Sequence, residues 1–224
     1  MGLLDFLNDD NADWNRDESY IGKLITLFAA TPAVSKAYFG LLYDEDHNPD
    51  LFLAVELEEE ADELEPMTDQ LRANLMPERT INFVSDTVEP ELMGYIVEGN
   101  FPFYVKHRTH PLNLAIMKYW FNPPKYKADL IRQVKTGTVT TLFKDFNPFG
   151  DSLNFQTFLR NGKEFIPLFS EEEMIAKSGM IELPEDLTIM TFDWIKINEA
   201  IRGNFKEHFY ILNPGTSFEV EFVA

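Results

Sequence analysis

Seven carboxylates crowd into ten residues at Glu56, Glu58, Glu59, Glu60, Asp62, Glu63 and Glu65, the densest run of reactive side chains in the chain. Carboxylates can serve as a general acid and base, but these are so numerous that no two stand apart as a pair. One reading is a solvated helix start, where negative charge meets the positive end of the helix dipole. The functional reading is a docking surface for a basic protein, with Glu58, Glu59, Glu60, Asp62, Glu63 and Glu65 as the partner-binding residues. A nuclease toxin, whose cleft must be basic to hold phosphates, would complement such a surface.

Other clusters offer less. The segment Asp44-Glu45-Asp46-His47-Asn48-Pro49-Asp50 has oxygen ligands at alternate positions, as calcium loops do. It lacks the glycine and the distal bidentate glutamate at the offsets such loops require, so it reads as a hairpin turn. His107 and His110 are spaced for one face of a helix, but zinc needs further ligands and no HExxH is present. They read as linker histidines before Pro111. No cysteine occurs, which removes disulfides, thiolate metal sites and cysteine nucleophiles. No GxSxG, phosphate-binding glycine loop or GxGxxG occurs either. The expectation is a protein that is not an enzyme, with no catalytic residue, metal site or cofactor.

The chain that carries these residues has 224 residues, 45% hydrophobic and 14% aromatic. That length suits two domains of about 100 residues, each with an adequate core. The net charge of −19 disfavours nucleic acid and anionic membranes as partners. No apolar run reaches the ~18 residues of a membrane span. Met1 to Leu7 is apolar but has no basic n-region or small-residue cleavage site, so it does not read as a secretory signal. A soluble, cytoplasmic protein is expected, and the lack of cysteine fits a reducing compartment.

Charge is unevenly spread. Residues 1–124 carry 23 acidic and 8 basic residues, net −15, and residues 125–224 are net −4. Between them lies a basic band with Lys106, His107, Arg108, His110, Lys118, Lys125, Lys127, Arg132 and Lys135, opposed only by Asp129. It is expected to neutralise acidic neighbours, within the chain or across a homodimer. The shift, with Pro111, Pro123 and Pro124, divides the chain into an acidic α+β domain over 1–105, a connector over 106–124 and a second α+β domain over 125–224.

In the first domain, apolar spacing predicts a helix over Tyr20 to Ala30, stopped by Pro32. Strands follow at Val34 to Tyr43 and Leu51 to Leu57 as a hairpin. A helix over Glu58 to Leu75, a strand over Thr80 to Ser85 and a short helix over Glu89 to Val97 complete an α+β sandwich, with helices on one face of an antiparallel sheet. In the second domain a helix over Tyr126 to Val134 precedes a strand over Thr138 to Phe143. A strand over Glu164 to Phe169 follows, where Pro167 implies an edge or a bulge. Ser170 is expected to cap a helix through a capping box. Leu187 to Phe192 reads as a strand or a helix entry, and Asp193 to Ile201 has helical spacing. Phe209 to Leu212 and Phe218 to Val223 close the fold around an Asn213-Pro214-Gly215 turn, with proline at i+1 and glycine at i+2. The fold class is α+β, with two small domains, each a mainly antiparallel sheet with helices packed on it.

Glu164-Phe165-Ile166-Pro167-Leu168-Phe169-Ser170-Glu171-Glu172-Glu173, paired with Ile211-Leu212-Asn213-Pro214-Gly215-Thr216-Ser217-Phe218, resembles the N-terminal domain of the enhanced serine sensitivity protein B (SseB) family. The first domain is similar to that family's C-terminal domain through Leu24 to Phe28, Val34 to Tyr38, Leu51 to Glu56 and Pro102-Phe103-Tyr104. The two domains would then stand in reversed order. The resemblance implies a non-catalytic bacterial interaction module, and an immunity protein that neutralises a secreted toxin is its sharpest form. The alternative is a regulatory or stress-linked module that senses a small metabolite.

Overall fold

The computed structural model describes residues 20–58, 64–71, 73, 82–144, 154–179, 187–196, 199 and 209–223. It divides into two compact units, Met1–Lys127 and Ala128–Ala224.

The first unit opens with α1 (Tyr20–Ala29), which buries Tyr20, Ile21, Leu24 and Phe28. Strands β1 (Val34–Tyr43) and β2 (Pro49–Leu57) form the predicted antiparallel hairpin. Then come α2 (Leu64–Gln70), β3 (Asn82–Ser85), α3 (Pro90–Gly99), β4 (Pro102–Val105) and α4 (Pro111–Phe121). The sheet order is β3-β2-β1-β4. Its β2–β3 pair is parallel, against the antiparallel expectation, because the chain between them crosses over instead of turning back.

Helices cover both faces of this sheet, not one. Successive residues of a strand point to opposite sides, and β1 buries Ala37, Tyr38, Phe39 and Gly40 in a row. Tyr38 joins Ala54, Val84, Met93 and Ile96 in a cluster under α3. Gly40 lets α3 come close, since a Cβ there would stand 2.8 Å from Ile96 side-chain carbons. On the other side Phe39 stacks on Phe103 with ring centroids 4.8 Å apart and meets Phe121 of α4 at 5.0 Å. Phe28 of α1 meets Phe103 at 6.2 Å. A strand apolar on both faces needs cover on both.

Residues 111–121, in the stretch expected as a connector, form α4, which buries Leu112, Asn113, Ala115, Ile116 and Met117. Asn113 is fully buried, and neither of its amide atoms has a hydrogen-bond partner. An unsatisfied buried amide costs about 1–3 kcal/mol, while an apolar side chain of the same shape costs nothing comparable. Asn113→Leu is therefore expected to raise stability by about 1–3 kcal/mol in a urea titration. A loss of stability would mean that an internal water satisfies the amide.

Helix α5 (Pro123–Thr136) spans the division between the units. In the second unit β5 (Thr138–Phe143) pairs antiparallel with β8 (Thr188–Asp193), so Leu187 to Phe192 resolves as strand. A four-stranded sheet has the order β10-β9-β7-β6. It is built from β6 (Phe158–Arg160), β7 (Lys163–Leu168), β9 (Phe209–Leu212) and β10 (Val220–Val223). Pro167 does not lie at an edge. Strand β7 is internal, parallel to β9 with Pro167 opposite Ile211. The proline is tolerated because β6 pairs only with Lys163 to Phe165 and asks nothing of it. Short helix α6 (Glu173–Lys177) follows β7.

Each unit therefore combines helices with mainly antiparallel small sheets. Among the described residues no helix is long and apolar enough to cross a membrane.

Candidate functional site

Of the six acidic residues expected to bind a partner, Glu59, Glu60, Asp62 and Glu63 lie outside the described residues, and Glu65 falls within α2. Glu58 is exposed at the end of β2, where its carboxylate accepts a hydrogen bond from Lys106 Nζ. The same ammonium group donates to the Pro32 carbonyl at 2.7 Å. Lys106 of the basic band thus neutralises Glu58 within the chain. Glu56 is engaged as well, by Lys36 at 3.0 Å and by the Tyr38 hydroxyl at 2.8 Å. The start of the acidic run holds the β1–β2 hairpin and the segment after β4 together.

Other carboxylates of the first unit have no such employment. Glu45, Asp46, Asp50, Glu89, Glu91 and Glu98 are exposed, and none forms an ion pair. The sequence reading passes over the last three, which belong to α3 and its approach. The signal that marks them is the alternation, at helical spacing, with the buried Met93 and Ile96.

The loop after β1 turns its carboxylate inward. Asp44 Oδ1 accepts from the backbone N–H groups of Asp46 at 2.9 Å and Asn48 at 2.8 Å, while Oδ2 accepts from Asn48 Nδ2 at 3.0 Å. These bonds, that from the Asn48 side chain first, hold the Asp44 carboxyl below its ordinary range. The two histidines do not share a helical face. His107 is an exposed turn residue at φ 66°, in the left-handed region that most side chains avoid, and His110 occupies the position before α4. Among the described residues no group of three or more histidines and carboxylates is placed to hold a metal ion.

In the second unit the two quoted segments meet. Asn213 is fully buried and accepts the Ser170 backbone N–H at 2.8 Å through Oδ1, while its Nδ2 donates to Ser170 Oγ at 3.1 Å. Its own N–H donates to the Leu168 carbonyl at 2.7 Å. Ser170 is thus held by Asn213 and does not cap α6, whose first turn has Glu172 at the cap position with no side-chain bond. The turn has the expected form, with Gly215 at φ 82° and the Thr216 N–H reaching the Asn213 carbonyl at 3.3 Å. Glu219 closes it by accepting the Gly215 N–H at 2.9 Å and pairing with Arg160. This constellation is a structural lock in which the Asn213 amide, Ser170, Gly215 and Glu219 take one another as partners.

Residues 18–106, from the approach to α1 through β4, match the family model of the SseB protein C-terminal domain. No curated protein and no solved structure matches the chain.

Proposed function

We propose that this chain, SseB-like over its first unit, is a non-catalytic protein-interaction module that docks a basic protein partner on the acidic surface of that unit. The observation that carries this reading is the surplus of free carboxylates there. Lys36 and Lys106 are taken up by Glu56 and Glu58, while Glu45, Asp46, Asp50, Glu89, Glu91 and Glu98 stand exposed and unpaired. Residues 1–124 carry a net charge of −15. Such a field attracts a cationic partner over long range and repels nucleic acid. A cognate secreted toxin with a basic cleft is the sharpest form of this partner, and the chain would then act as its immunity protein in the cytoplasm. The resemblance of residues 125–224 to the SseB N-terminal domain, in reversed order, belongs to the same proposal.

The test is capture with the tagged chain from its source lysate, followed by reconstitution with the purified captured protein at low and moderate salt. A stoichiometric complex with a basic protein, weakening steeply as salt rises, is the expected result. A second sample carries Gln or Asn at Glu59, Glu60, Asp62, Glu63 and Glu65. Glu58 is left intact in it, because its loss would release Lys106 and disturb the fold. A captured protein that is neutral or acidic, or a complex indifferent to salt, would overturn the charge-guided reading.

A further inference from the structure

The outer face of α3 carries one of two large aromatic side chains left in the open among the described residues of the first unit, the other being Tyr43 (61% exposed) at the end of β1. Tyr95 is 66% exposed, while Ile96 beside it is 1% exposed against Gly40. The inner residues Met93 and Ile96 anchor the helix on β1 and β2, and this fixes which side faces outward. On that side Glu91 lies one turn before Tyr95 and Glu98 about one turn after it, both exposed and unpaired. Gly94 adds no side chain, and a Cβ at that position would meet nothing within 4 Å, so the ring has open space beside it. Val88 (45% exposed) and Glu89 extend the patch before the helix. From Asp86 to Gly99 there is no basic residue.

We propose that this face is the seat for a basic segment of a protein partner, with an Arg or Lys of that segment stacked on the Tyr95 ring between Glu91 and Glu98. An exposed tyrosine gives contact area with few rotamers to freeze, and tyrosine is enriched among the residues that dominate binding. The face of its ring attracts a cation, and a flanking carboxylate at either side holds the charge. Charge complementarity selects the occupant. A second copy of this face would bring Glu89, Glu91 and Glu98 against their own kind, and an anionic membrane or nucleic acid meets the same repulsion. The inference rests on the docking reading above and places its centre on α3.

The test uses the full chain and a fluorescein-labelled peptide of alternating Arg and Gly, followed by anisotropy at low and moderate salt. Tyr95→Ala and the pair Glu91→Gln, Glu98→Gln are each expected to weaken binding about fivefold, from the lost cation–ring contact or the lost flanking charge. Tyr95→Phe keeps the ring and is expected to bind as the wild type does. Glu45→Gln with Asp50→Asn removes the same charge from the β1–β2 hairpin, part of the acidic surface but away from the Tyr95 ring, and is expected to weaken binding about twofold, less than the pair on α3 does. These side chains are exposed, and far-ultraviolet circular dichroism checks that each variant is folded. Binding that is indifferent to Tyr95→Ala, or lost equally in the hairpin pair, overturns the seat on α3 but leaves acidic docking standing. Failure of the wild type to bind the peptide even at low salt overturns both.

Discussion

Gly215→Ala is expected to destabilise the second unit by about 3 kcal/mol or more, enough to lower its thermal midpoint by ten degrees or more. Two independent causes add. Gly215 has φ 82°, which an L side chain adopts only under strain. A Cβ there would also stand 1.9 Å from the Ser178 carbonyl oxygen, 2.7 Å from its carbon and 3.1 Å from its Cα. All three are backbone atoms at the end of α6, so no side-chain rotation relieves the clash. Gly162 provides the comparison, since it has φ 76° in the β6–β7 turn but open space around it. Gly162→Ala should cost only the conformational part, about 1 kcal/mol. Calorimetry of both variants separates strain from collision. Equal losses would show that the turn can move away from Ser178.

Asn213→Leu is expected to cost about 3–4 kcal/mol, the second large effect. The leucine removes the acceptor for the buried Ser170 N–H and the donor to Ser170 Oγ. Leaving the N–H unsatisfied accounts for about 1–3 kcal/mol of the loss. The remainder is conformational, because Asn213 has φ 48°, a region asparagine tolerates and leucine does not. Asn213→Gly keeps that backbone freely and loses only the side-chain bonds, so it should fall between leucine and the wild type. Ser170→Ala retains the N–H bond and should cost least. A urea series ranking leucine at or above glycine would overturn the conformational part, since both variants lose the same side-chain bonds, and glycine as stable as the wild type would overturn the part assigned to the bonds.

Much of the local structure was legible from the residues alone. Tyr20 to Ala29 carries apolar residues on one helical face, and Pro32 ends it, so α1 follows from spacing. The turn formers from Asp44 to Asn48 define the hairpin, and the structure shows how, through the Asp44 carboxylate gathering the loop N–H groups. Gly215 at i+2 of its turn is as expected, for the steric reason that makes glycine common there. These are short-range matters, decided by residues within a few positions of one another.

The candidate surface was only half legible. Its acidity is a property of composition, and the α3 stripe of Glu91, Tyr95 and Glu98 is written in helical periodicity once Met93 and Ile96 are known to face inward. What charge counting misses is that Glu58 belongs to Lys106, 48 positions away in the chain. No local pattern carries that pairing.

Side-chain type and near-neighbour spacing fix most of the elements, with α4 and β6 among the exceptions, together with the acidic character of the first unit and the lack of cysteine chemistry. Tertiary structure alone decided the rest. The parallel β2–β3 pairing, helices on both faces of the first sheet, and Ser170 held by Asn213 instead of capping α6 all join residues far apart in the chain. A buried donor takes whichever acceptor the packed fold brings to it, and a strand apolar on both sides is covered by whichever helices close over it. Neither choice is made until the chain has folded.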